Sequence, residues 1–212
     1  MRRRLLFMTI KKNDVTELPD IPVNPDVEVN NKIYYTTSNN NSIKPYTTAA
    51  FNANILSNSR DSNLNMFVIE FDADLTIIGD NAFRNRSGLA NVVIPNTVTS
   101  IGERAFYHCT KLAAINTGDN IVSIGPSAFS TCSLTNIYLG PNVTSIGQYA
   151  FYGCEQLQKV YCKAEVPPTG AYGMFEDIAS SAVIYVPHES VNAYKSARYW
   201  SDVADLITGY DF

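Results

Sequence analysis

The chain is poor in the residues and runs that mark several common classes of protein. Its 212 residues hold two histidines, one tryptophan and four cysteines. His108 and His188 stand far apart, with no G-x-S-x-G serine and no cysteine placed as a nucleophile beside either, so no triad for acyl transfer is legible. Asp and Glu are scattered without the paired arrangement that glycoside hydrolysis needs. Cys109, Cys132, Cys154 and Cys162 contain no C-x-x-C, and only the last two are close, with no histidine near them, which argues against zinc. The glycines form neither G-x-G-x-x-G nor a Walker loop. The reading is therefore a protein that is not an enzyme and needs no cofactor. No stretch approaches the ~20 apolar residues of a membrane span, so no membrane insertion is expected. A net charge of −4 with no basic stripe argues against a nucleic-acid partner.

No secretory leader is expected at the N-terminus. Arg2-Arg3-Arg4 precede Leu5 to Ile10, but that apolar run is shorter than the ~7–15 residues of a signal-peptide core. Lys11 ends it, and no cleavage site or lipoprotein cysteine follows. The chain is thus expected to be a mature or trimmed form, or to reach its station by another route, as a virion component would.

What is present is a period. Ile78-Gly-x-x-Ala-Phe83 returns at Ile101–Phe106, Ile124–Phe129 and Ile146–Phe151, at steps of 23, 23 and 22 residues. A unit of this size cannot bury its own apolar face, so neighbours must stack into one continuous core. Four inward ladders are expected: Ile78, Ile101, Ile124 and Ile146; Phe83, Phe106, Phe129 and Phe151; Leu89, Leu112, Leu134 and Leu157; Val92, Ile115, Ile137 and Val160. The L-x-x-V-x-I segment alternates as a short strand with Val93 outward, V-T-S-I is a second strand, and G-x-x-A-F-x-x-C has helix-compatible spacing. The expected fold is an α/β repeat solenoid with short strands and a short helical segment in each ~23-residue unit.

Around this array the chain divides into an extended arm over 1–31, carrying Pro19, Pro22 and Pro25, a β cap and half repeat over 32–77, four repeats over 78–168, and a divergent repeat with a capping helix over 169–212. In the second segment Ile33–Thr37 is a strand, while Ala53–Leu56 and Met66–Phe71 form a hairpin around the polar Ser57–Asn65. In the last, Val191, Tyr194, Ala197 and Trp200 set a helical spacing that runs on toward Ile207. The equivalent positions of Cys109, Cys132 and Cys154 predict a ladder of reduced, buried thiols.

The set Ile101-Gly102, Ala105-Phe106, Cys109, Leu112 and Ile115 resembles the BspA-like branch of the leucine-rich repeat family, found in surface proteins of Bacteroidetes and spirochaetes, in some protozoa and in phages. Val183–Pro187 followed by Ser190, Val191, Tyr194 and Trp200 is similar to that family's C-terminal cap. Three departures predict local irregularity: Arg86 in place of cysteine, Thr117-Gly118 in place of Ile-Pro, and a residue missing between Cys132 and Leu134. The resemblance implies recognition or adhesion at a cell surface, or secretion, with a protein or carbohydrate ligand. The alternative is a virion structural or decoration protein that docks through residues 1–30 to a neighbouring subunit or another copy.

The outward strand position reads Glu70, Val93, Asn116, Tyr138, Tyr161 and Tyr185 along the stack. Tyrosine offers a flat apolar face and a polar tip. Tyr138, Tyr161 and Tyr185, flanked by Asn136 and Lys159, are the expected ligand-binding residues. The helical-edge positions Arg84, Tyr107, Ser130 and Tyr152 are the second choice.

Overall fold

The computed structural model describes residues 30–212. Except for Asn30 and Asn31, the arm expected over 1–31 lies outside the described residues; the carbonyls of those two accept the amides of Leu75 and Phe71 at 2.7 and 2.9 Å. From there the chain makes three antiparallel strands, β1 (Lys32–Thr37), β2 (Ile55–Asp61) and β3 (Met66–Phe71), and then a series of stacked coils. One face of the stack is built by β5 (Leu89–Val93), β7 (Ala114–Asn116), β9 (Asn136–Leu139), β11 (Lys159–Cys162) and β12 (Val183–Pro187). A second face is the parallel sheet of β4 (Ile77–Ile78), β6 (Ser100–Ile101), β8 (Ser123–Ile124) and β10 (Ser145–Ile146). Helix α1 (Val191–Ser196) and strand β13 (Ile207–Tyr210) complete the chain.

All four expected ladders point into the core, each member no more than about 3% exposed. The phenylalanine rungs Phe83, Phe106, Phe129 and Phe151 stack at 5.3 Å with nearly parallel rings. Phe175 adds a fifth rung at the same spacing, against which Trp200 closes the column. The glycine after each isoleucine is required by the closeness of the coils: a Cβ on Gly125 would lie 2.6 Å from the carbonyl carbon of Gly102. Gly125→Ala must push two backbones apart, and a loss of about 1–3 kcal/mol in denaturant unfolding is expected, as for other overpacked sites.

The third face corrects the sequence reading, for it contains no helix. In each coil two residues adopt left-handed backbone, as at Arg104 (φ 53°) and His108 (φ 57°), or Tyr149 (φ 57°) and Gly153 (φ 66°). The amides of Ala105, Tyr107 and Cys109 bond three residues back within their own coil, whereas those of Arg104, Phe106 and His108 bond to Pro126, Ala128 and Ser130 of the next coil. A helix would satisfy every amide within one coil. Here every second amide ties the coil to its neighbour, so a row of turns replaces the helix.

Three smaller expectations change as well. Strand β2 runs through Ser57–Arg60, part of the polar stretch that the sequence places between the strands. The helical pattern from Val191 ends at Ser196; Ser201–Leu206 is a short 3₁₀ segment, and Ile207 opens a strand parallel to β12. The irregularity expected near Thr117 takes the form of a seam. Strands β2, β3, β1, β5 and β7 belong to one sheet and β9, β11, β12 and β13 to another, with no ladder between β7 and β9. Gly118 turns left-handed (φ 68°), its amide donates to the Asn116 side chain, and the Thr117 hydroxyl bridges the seam to the Tyr138 carbonyl at 3.1 Å.

Candidate functional site

The strands of the C-terminal half hold the expected tyrosines in register. Tyr138, Tyr161 and Tyr185 are paired neighbours on β9, β11 and β12, because parallel strands of equal repeat length place equivalent residues side by side. Tyr161 and Tyr185 stack at 4.9 Å with 15° between their planes. The residue beside Val93 is Tyr34, and Val68 follows it; β1 inserts antiparallel between β3 and β5, so Glu70 pairs with Lys32 and drops out of the row. The lysine and the glutamate form an ion pair at 3.4 Å.

The row is not the open strip that the sequence suggests. Tyr161 is only 6% exposed and Asn136 only 7%. The cover comes from the end of the chain: Tyr210 sets its ring edge-on to Tyr161 and Tyr185 at 5.7 and 5.2 Å, and Phe212 packs on Tyr210 at 5.2 Å. Tyr138 and Tyr185 remain half-buried, as does Lys159. Burial and the neighbouring Asp119 carboxylate, which it contacts, keep the Tyr138 phenol protonated well above the usual tyrosine range. Beside this cluster an open groove of about 820 Å³ runs between Lys163, Val166, His188 and Tyr210. Val166 is 77% exposed on one wall. On the other, the His188 ring lies 3.4 Å from Asp211.

Tyr210 and Tyr34 were missed for identifiable reasons. Tyr210 follows a segment whose spacing continues a helix, and nothing in it announces the return to a strand. Tyr34 enters the row only through an antiparallel pairing that no period encodes.

The four cysteines are free, buried thiols, and three of them form the ladder. Cys109, Cys132 and Cys154 donate to the carbonyls of Phe83, Phe106 and Phe129 one coil back, at 3.0–3.1 Å. They therefore pin adjacent coils together as well as filling space. Burial pushes Cys109 and Cys154 up to about 12 and Cys162 up to about 11. Among the described residues no group of three or more potential metal ligands gathers in one place, and no helix is long and apolar enough to cross a membrane.

The BspA type leucine rich repeat region matches residues 76–197 in six copies. Among solved structures, the T. pallidum leucine rich repeat protein is similar at 30% identity with a TM-score of 0.50, over 55% of this chain and 53% of that one. A leucine rich cell surface protein from Faecalibacterium prausnitzii shares 22% identity over 77% of this chain and 44% of its own, with a TM-score of 0.49. This chain thus spans about half the length of the solved relatives. No curated protein sequence matches it significantly.

Proposed function

Because the chain belongs to the BspA type leucine rich repeat family, whose repeats cover residues 76–197, we propose that it is a non-enzymatic recognition or adhesion module that binds a protein or glycan at a bacterial surface. The strand face of the C-terminal half is the binding surface. The observation that carries this reading is the in-register row of Tyr138, Tyr161 and Tyr185 with Tyr210 laid across it. Rigid aromatic rings with polar tips give contact area at low entropic cost, and they concentrate binding energy where they cluster.

The burial of Tyr161 divides the roles. Tyr138, Tyr185 and Tyr210 present the contact surface, Lys159 supplies a directional donor at its edge, and Tyr161 with Asn136 supports them from beneath. The adjoining groove extends the surface toward Val166 and His188.

The test uses printed arrays of glycans and of peptides as probes. A Tyr138→Ser, Tyr185→Ser, Tyr210→Ser variant should lose at least about thirtyfold in affinity for the array component that the natural chain selects, the effect of a single hot-spot aromatic worth ~2 kcal/mol. Its melting transition should fall less than that of Tyr161→Ser, which removes a buried ring. Undiminished binding by the folded triple variant would move the site off this face.

A further inference from the structure

Among the described residues the two most exposed aromatic side chains are Tyr46 and Tyr172 (52% and 53%), which stand toward opposite ends of the turn face, Tyr46 bonded onto the first coil and Tyr172 carried by the fifth. Their surroundings carry opposite charge. At the first coil the Arg84 guanidinium lies between the rings of Tyr46 and Tyr107, at 5.9 and 5.8 Å, and that of Arg86 lies 5.5 Å from Tyr46. The segment carrying Lys44 and Tyr46 is fixed there by the Tyr46 amide on the Ala82 carbonyl and by Arg86 on the carbonyls of Lys44 and Pro45. Among the described residues, no carboxylate lies within ion-pair distance of Lys44, Arg84 or Arg86. Asp80 of the first coil accepts from the Glu103 amide at 2.7 Å, and Glu103 itself pairs with Arg104.

At the far end Tyr149 sits edge-on to both Tyr152 and Tyr172 at 5.5 Å. The exposed Glu176 and Asp177 lie beside them, and a hydrogen bond to Asp177 holds the Tyr152 proton. Arg198, beyond the last coil, is engaged with its neighbour Tyr199. Between the two ends the middle coil bears only small uncharged side chains, Ser127, Ser130 and Thr131, and Ser130 is buried. Along one face the order is basic and aromatic, small and neutral, acidic and aromatic.

We propose that this face docks a second copy of the same chain, antiparallel, about a two-fold axis through the middle coil. An isologous contact requires a surface complementary to itself under a half turn. Here the half turn brings Tyr46, Lys44 and Arg84 of one copy onto Tyr172, Glu176 and Asp177 of the other, twice, while the small residues of the middle coil meet one another and let the coils approach. The opposed charges set orientation and register, and the paired aromatic ends supply the apolar area. A face of this size falls in the small, transient class of interfaces, below ~1,200 Å² in total, so the dimer forms at micromolar concentration.

Sedimentation velocity on the full chain, from about 1 to about 100 micromolar, tests the proposal. The natural chain should pass from monomer to dimer across this range, more weakly as salt is raised. Lys44→Glu with Arg84→Glu, and separately Glu176→Lys with Asp177→Lys, should each weaken self-association at least about tenfold. An equimolar mixture of these two variants should pair again as a heterodimer. Ser127→Arg is the independent probe: the equivalent slot already holds Arg104 on the same backbone (φ 53° at both), so the fold is kept, yet two arginines would meet on the axis and the dimer should be lost. A chain that stays monomeric throughout, a dimer indifferent to Ser127→Arg, or two charge variants that fail to pair would each overturn the proposal.

Discussion

Phe106→Ala should destabilise the protein by about 3–5 kcal/mol in denaturant unfolding, a large share of the stability of any single domain. Phe106 is fully buried and stacked on both sides, 5.3 Å from Phe83 and 5.3 Å from Phe129. Removing it deletes two ring contacts and leaves a cavity in the middle of a column. The column cannot close, because inter-coil hydrogen bonds above and below hold the spacing. Tyr107→Ala, one residue along and half-buried on the turn face, should lose far less. A loss below about 1 kcal/mol for Phe106→Ala would mean that the column is not a structural element.

The second large effect is on alkaline stability. An unfolded thiol titrates near 8.5, whereas in the fold burial raises Cys109 and Cys154 to about 12 and Cys162 to about 11, and pushes Cys132 up as well. A raised folded value means that the thiols contribute their stability fully below the unfolded value and lose it as pH climbs toward the folded ones. The unfolded chain then releases protons that the folded chain retains, so stability falls by about 1.4 kcal/mol per pH unit for each thiol and by roughly 5.5 kcal/mol per pH unit for the four together. Circular dichroism should show cooperative unfolding between about pH 9 and 11, within the margin that a domain has to lose. Replacing Cys109, Cys132 and Cys154 by Ala should flatten most of this dependence. An unchanged slope in that variant would place the alkaline sensitivity elsewhere. Below pH 8 the same thiols should resist alkylation until the chain unfolds.

How much could be read in advance follows from what a repeat encodes. The 23-residue period fixes which side chains face inward, because a ladder forms only from residues that recur, and so every rung from Ile78 to Val160 was legible. The period is silent on where amides bond. Ala105-Phe106-x-x-Cys109 suits one turn of helix and a string of turns equally, and what decides is that Phe106 and His108 find carbonyls in the next coil. At the candidate site, the register of Tyr138, Tyr161 and Tyr185 is a property of equal repeat lengths and could be read. The burial of Tyr161 is not, since its cover is Tyr210, a residue outside the period. Thr117-Gly118 and the missing residue near Ser133 announced a disturbance. Its form, a sheet divided in two, depends on the local bonds of Asn116, Thr117 and Gly118, which the sequence does not display.

The left-handed turns have a consequence for how such a molecule can change over generations. One slot of the turn face holds Asn81, Arg104, Ser127, Tyr149 and Gly173 in successive coils, all with φ between 53° and 65°. An amide, a cation, a hydroxyl, a phenol and a bare hydrogen share one backbone shape, because that shape is set by hydrogen bonds to the next coil and not by the residue that occupies it. Mutation can therefore rewrite the chemistry of this face, coil by coil, with little disturbance to the column beneath. The face can drift toward new contacts while the fold that carries it stays under separate selection.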